Sequence, residues 1–104
     1  LFGSLRSLKV EDCRFARLPQ ALGQLSSLVE LSLAGNRVPF QPTDQQALAG
    51  LVNLQYLNLH GCVLSGRLDV TQLTELRELN LSQTQSSTWP MGVMQLPHLT
   101  HLDL

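Results

Sequence analysis

Residues 54–64 read LQYLNLHGCVL. Leucines 54, 57 and 59 are spaced three and then two apart, and a small polar or sulfur-bearing residue, Cys62, follows three positions on. The LxL portion alternates apolar and polar, which is the period of a strand half-buried on one face. The same grammar returns along the chain as LRSLKVEDCRF from Leu5, LVELSLAGNRV from Leu28, LRELNLSQTQS from Leu76 and LTHLDL from Leu99. The repeats therefore start near residues 5, 28, 54, 76 and 99, at intervals of 22 to 26 residues, and span 1–104. Ser86 alone departs from the apolar residue expected in the last slot of its copy. Such a period signals a stacked architecture, because one copy cannot bury its own leucines but neighbouring copies can bury each other's.

Composition agrees with a repetitive core. About a quarter of the 104 residues is leucine, against 5% aromatic and 14% charged. Seven basic and eight acidic residues give a net charge of −1 and are interspersed along the chain. No basic stripe of the kind that binds a phosphate backbone emerges, so nucleic acid is not expected as a partner. No apolar run approaches 18 residues, so no membrane partner is expected either. The opening residues lack the basic start and apolar run of a signal peptide. Two cysteines do not make a disulfide framework and lean toward a reducing cytosol.

Four copies of LxxLx(L/V)xx(N/C/T), with LTHLDL repeating the opening in register, resemble the leucine-rich repeat family over essentially the whole chain. The resemblance implies an α/β leucine-rich repeat solenoid: a parallel sheet lines the concave side, and short helices, 3-10 turns and loops line the convex side. Apolar residues recur six positions before each new repeat (Leu22, Leu48, Val70, Val93) and three before it (Phe2, Leu25, Leu51, Leu73, Leu96). These are expected to pack from the convex side. Leu18-Pro19 and Trp89-Pro90 suit the first turn of a short helix, and Trp89 is expected in the convex core. In PTDQQALAGL, Thr43 and Gln46 form a capping-box pattern that predicts a helix of about two turns. The third repeat, SGRLDVTQL, is the shortest and is expected to be extended or a 3-10 turn.

The resemblance also implies an inward slot where the chain leaves each strand, filled here by Cys13, Asn36, Cys62 and Thr84. Its small polar side chains pair backbone groups that burial would otherwise leave unsatisfied. Cys13 and Cys62 lie two repeats apart, roughly 10 Å at one strand spacing per repeat, beyond the reach of a disulfide. Gly35 and Gly61 precede the slot and suit a turn with positive φ. His60, His98 and His101 do not converge as metal ligands. No nucleophile, base and orienter come together, so no catalytic residue, metal or cofactor is expected.

Function then rests on the concave face. The register predicts that Lys9, Glu11, Glu30, Ser32, Tyr56, Asn58, His60, Glu78, Asn80, His101 and Asp103 point outward there, with Ser7, Ala34 and Ser82. This mixed, mildly acidic surface suits a protein partner. Tyr56 is its sole aromatic residue, with Ala34 and Gly35 leaving a shallow dip beside it. Large aromatic residues of this kind are enriched at binding hot spots.

Residues 68–104 also look like the last repeats of bacterial novel-type ubiquitin ligase effectors, through Asp69-Val70, Thr84 and Trp89-Pro90. That likeness implies a substrate-recognition or autoinhibitory segment, secreted into a host cell, with the catalytic cysteine elsewhere. Two alternatives are the ligand-sensing repeats of a plant-type immune receptor and a non-enzymatic cytosolic scaffold. Terminal caps are not evident, which predicts an uncapped part of a larger protein.

Overall fold

The computed structural model describes residues 4–13, 20–36, 39–64, 67–84 and 89–104. The expectations at Phe2, Leu18-Pro19 and Ser86 lie outside the described residues. One short strand forms in each repeat at the LxL position: β1 (Ser7–Lys9), β2 (Glu30–Ser32), β4 (Tyr56–Asn58), β6 (Glu78–Asn80) and β7 (His101–Asp103). They pair parallel in the order β1-β2-β4-β6-β7, each with its neighbour in the repeat series. Leu8, Leu31, Leu57, Leu79 and Leu102 fall in one continuous row.

The row turns inward because a strand's alternate side chains face opposite ways. Leu31, Leu57 and Leu79 are buried, as are Leu33, Leu59 and Leu81 two positions on. Leu22, Leu48, Val70 and Val93 close the core from the other side with Leu51 and Leu73. Leu25 and Leu96 are partly buried against it. Each fully buried leucine contributes about 1.5–3 kcal/mol through removal of its apolar surface from water.

The repeats share one hydrogen-bonding plan at their constant ends. The carbonyls of Arg6, Val29, Gln55 and Arg77 each accept two N–H groups from the next repeat's strand entry. Before β2, β4 and β6 the chain makes two successive turns closed by bonds three residues back, such as Leu51 N–H to the Leu48 carbonyl and Leu54 N–H to the Leu51 carbonyl.

Variation is confined to the stretch between the inward slot and the first of these turns. Asn36 and Leu48 are twelve positions apart, against eight or nine in the other repeats. The long stretch accommodates β3 (Pro39–Phe40) and α1 (Pro42–Ala49). The predicted two-turn helix is present, but Gln41 caps it, not Thr43. Pro42 occupies the first turn, and Asp44, not Gln46, reaches back to the Gln41 N–H at 2.9 Å. Proline at the first helical position explains the shift, because its fixed φ and missing N–H suit that place. Single 3-10 helices serve elsewhere, at Gln20–Gln24 and Val93–Gln95. The third repeat is extended at Asp69, which bridges to Met91. There the Thr71 N–H and hydroxyl both donate to the Asp69 carboxylate and hold its pKa below the usual range.

A second, two-stranded sheet pairs β3 with β5 (Val63–Leu64). The repeat pattern did not predict it. Phe40, almost wholly buried, stands opposite Leu64 in this pairing.

The residue before the inward slot has positive φ in every described repeat: Asp12 at 54°, Gly35 at 79°, Gly61 at 75° and Gln83 at 58°. At Gly35 the backbone also approaches Asp12 so closely that a Cβ would collide with the Asp12 carboxylate. Gly35→Ala is therefore expected to lower stability by about 1–2 kcal/mol from the left-handed conformation alone. Gln83→Gly should leave stability equal or higher. Urea midpoints of the two variants check this; an unchanged midpoint for Gly35→Ala would contradict it.

Candidate interaction surface

The outward residues of the main sheet form three columns. Ser7, Glu30, Tyr56, Glu78 and His101 share the first row of strand positions, and Lys9, Ser32, Asn58, Asn80 and Asp103 share the second. Beyond the strands come Glu11, Ala34, His60 and Ser82, aligned by bonds from Asp12 N–H to the Ala34 carbonyl, Gly35 N–H to His60 and Gly61 N–H to Ser82. A groove of about 240 Å³ lies over this face and crosses the strand positions of Leu31, Leu57 and Leu79, whose side chains are buried in the core. Of the fourteen residues assigned to the face by register, ten line it; Ser7, Ala34, His60 and Ser82 stand outside.

Three side-chain groups set the local chemistry. At one edge Ser7 Oγ donates to Glu30 Oε1 at 2.9 Å, and Lys9 Nζ lies 3.8 Å from Glu30 Oε2. At the middle, Asn58 Oδ1 accepts the His60 N–H at 3.0 Å and Asn80 Oδ1 accepts the Ser82 N–H at 2.9 Å. These two asparagines stabilise the strand exits in the same way, and among the described residues their NH2 groups remain available as donors. Just past the ends of β4 and β6, Ser82 Oγ donates to Asn80 Oδ1 at 2.6 Å and lies 2.6 Å from His60 Nδ1. With its own proton directed at Asn80, the serine must accept, so His60 carries its proton on Nδ1.

Several expectations need correction. Ser32 is outward by register but buried, because its hydroxyl donates to the Glu11 carboxylate, which folds over it. The hollow beside Tyr56 is not at Ala34 and Gly35. Parallel register puts those two beside His60, and the hollow at Tyr56 is lined by Arg6, Ser7, Val29, Glu30 and Glu78. Trp89 is 52% exposed, with Met91 and Met94 also outward. The Asp69–Met91 bridge fixes an extended segment whose alternation turns Pro90 inward and Trp89 outward.

The inward slot holds in three of four repeats. Asn36 Nδ2 donates to the carbonyls of Leu33 at 2.7 Å and Val10 at 2.6 Å. Cys62 Sγ donates to the Leu33 carbonyl at 3.0 Å, and Thr84 Oγ1 to Leu81 at 2.8 Å. All three are buried. Cys13 is exposed and reaches only the Glu11 carbonyl, at 3.5 Å. It follows the edge strand β1, and among the described residues no other strand covers the outer side of that repeat.

The two thiols are both free. Burial pushes the Cys62 thiol up to about 11, slightly offset by its contact with the Asn36 backbone. A thiol pKa raised by folding stabilises the fold fully below the unfolded value near 9 and progressively less as pH rises through 11. Stability should therefore fall between pH 9 and 11, with a shallower slope in Cys62→Ala. Ellman's reagent at neutral pH should modify Cys13 quickly and Cys62 only after denaturant is added. Equal rates for the two thiols would contradict this burial.

Among the described residues no group of three His, Cys, Asp or Glu is placed to hold a metal ion, and no helix is long and apolar enough to cross a membrane. Comparison with known proteins gives several relatives. One is the Transforming growth factor beta activator LRRC33 of Danio rerio, 35% identical over 97% of this chain. Another is the TMV resistance protein N of Nicotiana glutinosa, 30% identical over 97% of the chain. The chain spans only 14% and 9% of their respective lengths. Residues 3–64 match the family described as Leucine rich repeat. With that match over more than half its length, the chain belongs to the leucine-rich repeat family.

Proposed function

We propose that this chain is a non-catalytic segment of a leucine-rich repeat solenoid that binds a protein partner through the concave groove. The groove itself carries the reading: a run of outward polar residues crosses the strand face, with Tyr56 standing 37% exposed near its centre. A tyrosine offers a large contact area at low entropic cost, and the Asn58 and Asn80 amides beside it supply directional donors. Membership of a repeat family, and likeness to a growth-factor activator and a resistance protein, support a binding role for the repeats.

A finer reading is favoured by one observation. The 30% identity to a TMV resistance protein supports the ligand-sensing repeats of a plant-type immune receptor. The bacterial ligase reading rests on the resemblance of residues 68–104 alone, and the two relatives add nothing to it.

A photo-crosslinking residue placed at Asn58 or at Met94, in the protein expressed in its own cells, separates the faces. The expected result is a discrete adduct from position 58, lost in Tyr56→Ala, which should weaken partner binding about tenfold or more. Adducts from position 94 alone would overturn the reading.

A further inference from the structure

Two hollows open on the strand face, and they share three residues: Glu30, Tyr56 and Glu78. Register puts these three in one row, with the tyrosine in the middle. Each glutamate is one strand spacing, about 4.8 Å, from Tyr56 along the sheet. A partly exposed aromatic ring thus stands between two carboxylates, open to solvent on both sides of the row.

The charges around it are lopsided. Among the described residues Glu11, Glu30, Glu78 and Asp103 line the groove with Lys9 and His101, and Arg6 is the one lysine or arginine that lines the second hollow, so carboxylates outnumber fixed cations about Tyr56 by four to two. Lys9 and Ser7 already engage Glu30. Glu78 and Asp103 make no side-chain hydrogen bond or ion pair among the described residues, and both are exposed. The four carboxylates are spread over four repeats and do not converge on a point, so a bare metal ion does not fit them. What fits is a cation carried on a long side chain. A guanidinium or ammonium group placed over a tyrosine face is attracted by the ring's quadrupole, and its N–H groups can reach carboxylates on either side.

We propose that the groove receives a basic peptide segment of the partner protein, with an arginine or lysine side chain laid over the Tyr56 ring between Glu30 and Glu78. This rests on the groove being the partner surface, as argued above. Steering by the acidic groove also makes the association sensitive to salt.

The test uses the purified protein, a capped peptide alternating arginine with alanine, and a control peptide alternating glutamate with alanine. Binding is followed by two-dimensional NMR. The expected result is selective perturbation of the Tyr56 ring and of the Glu30 and Glu78 amides by the basic peptide. Its affinity should fall at least tenfold in Glu78→Gln, be unchanged in Glu75→Gln, and weaken as salt is raised. The spectrum of each variant reports its fold directly. Equal binding of the acidic peptide, perturbations mapping away from the groove, no binding of the basic peptide, or an unaffected Glu78→Gln would overturn the proposal. If crosslinks still arise from position 58 in that case, the groove is a partner surface of other chemistry and only this inference fails. If they do not, the reading beneath it fails as well.

Discussion

Where each strand ends, the chain must turn back under its own sheet, and the turn leaves backbone carbonyls inside the protein. A buried carbonyl without a partner costs about 1–3 kcal/mol, so a side chain must be delivered to it. Asn36 meets this need twice over, joining its own turn at Leu33 to the preceding repeat at Val10. Cys62 continues the chain of contacts by reaching back to Leu33, and Thr84 closes its own turn at Leu81. These bonds set where the strand stops. Because side chains alternate along a strand, they thereby set which residues face the groove.

The same turn demands a left-handed residue just before the slot. Glycine fills that place at positions 35 and 61, whereas Asp12 and Gln83 adopt it with a side chain. After the slot the constraint relaxes, and all the difference in repeat length collects there. The second repeat uses its extra residues for α1 and for β3, the partner of β5. The third repeat crosses by an extended segment instead. Strand spacing on the groove side is untouched, since the stretch from each apolar turn to the next strand is constant. A repeat can thus vary on one face while holding Glu30, Tyr56 and Glu78 in a single row on the other.

Most of the strand face was legible from leucine spacing, because burial enforces the alternation and a slip by one residue would expose every leucine. The parts that were not legible depend on neighbours in space. Ser32 has the register of an outward residue, and only the fold of the Glu11 side chain covers it. Cys13 has the spacing of a buried residue, but burial needs another strand's turn alongside, and it follows the strand at the sheet edge. Trp89 matches an apolar slot by sequence, yet a bridge formed two residues later turns it outward. The dip at Tyr56 was misplaced because adjacency in a parallel sheet follows strand register: Glu30, not Ala34, is its neighbour. The second sheet arises from residues just past the slot, where a short apolar run such as Cys62–Leu64 is too brief to announce a strand.

The most direct test of this account is the urea denaturation midpoint of Asn36→Ala. Removing the amide leaves the Val10 and Leu33 carbonyls without its two bonds, and the account predicts a loss of about 1–3 kcal/mol. An unchanged midpoint would mean that the turn does not depend on this contact, and the assignment of inward slot and outward columns would fall with it.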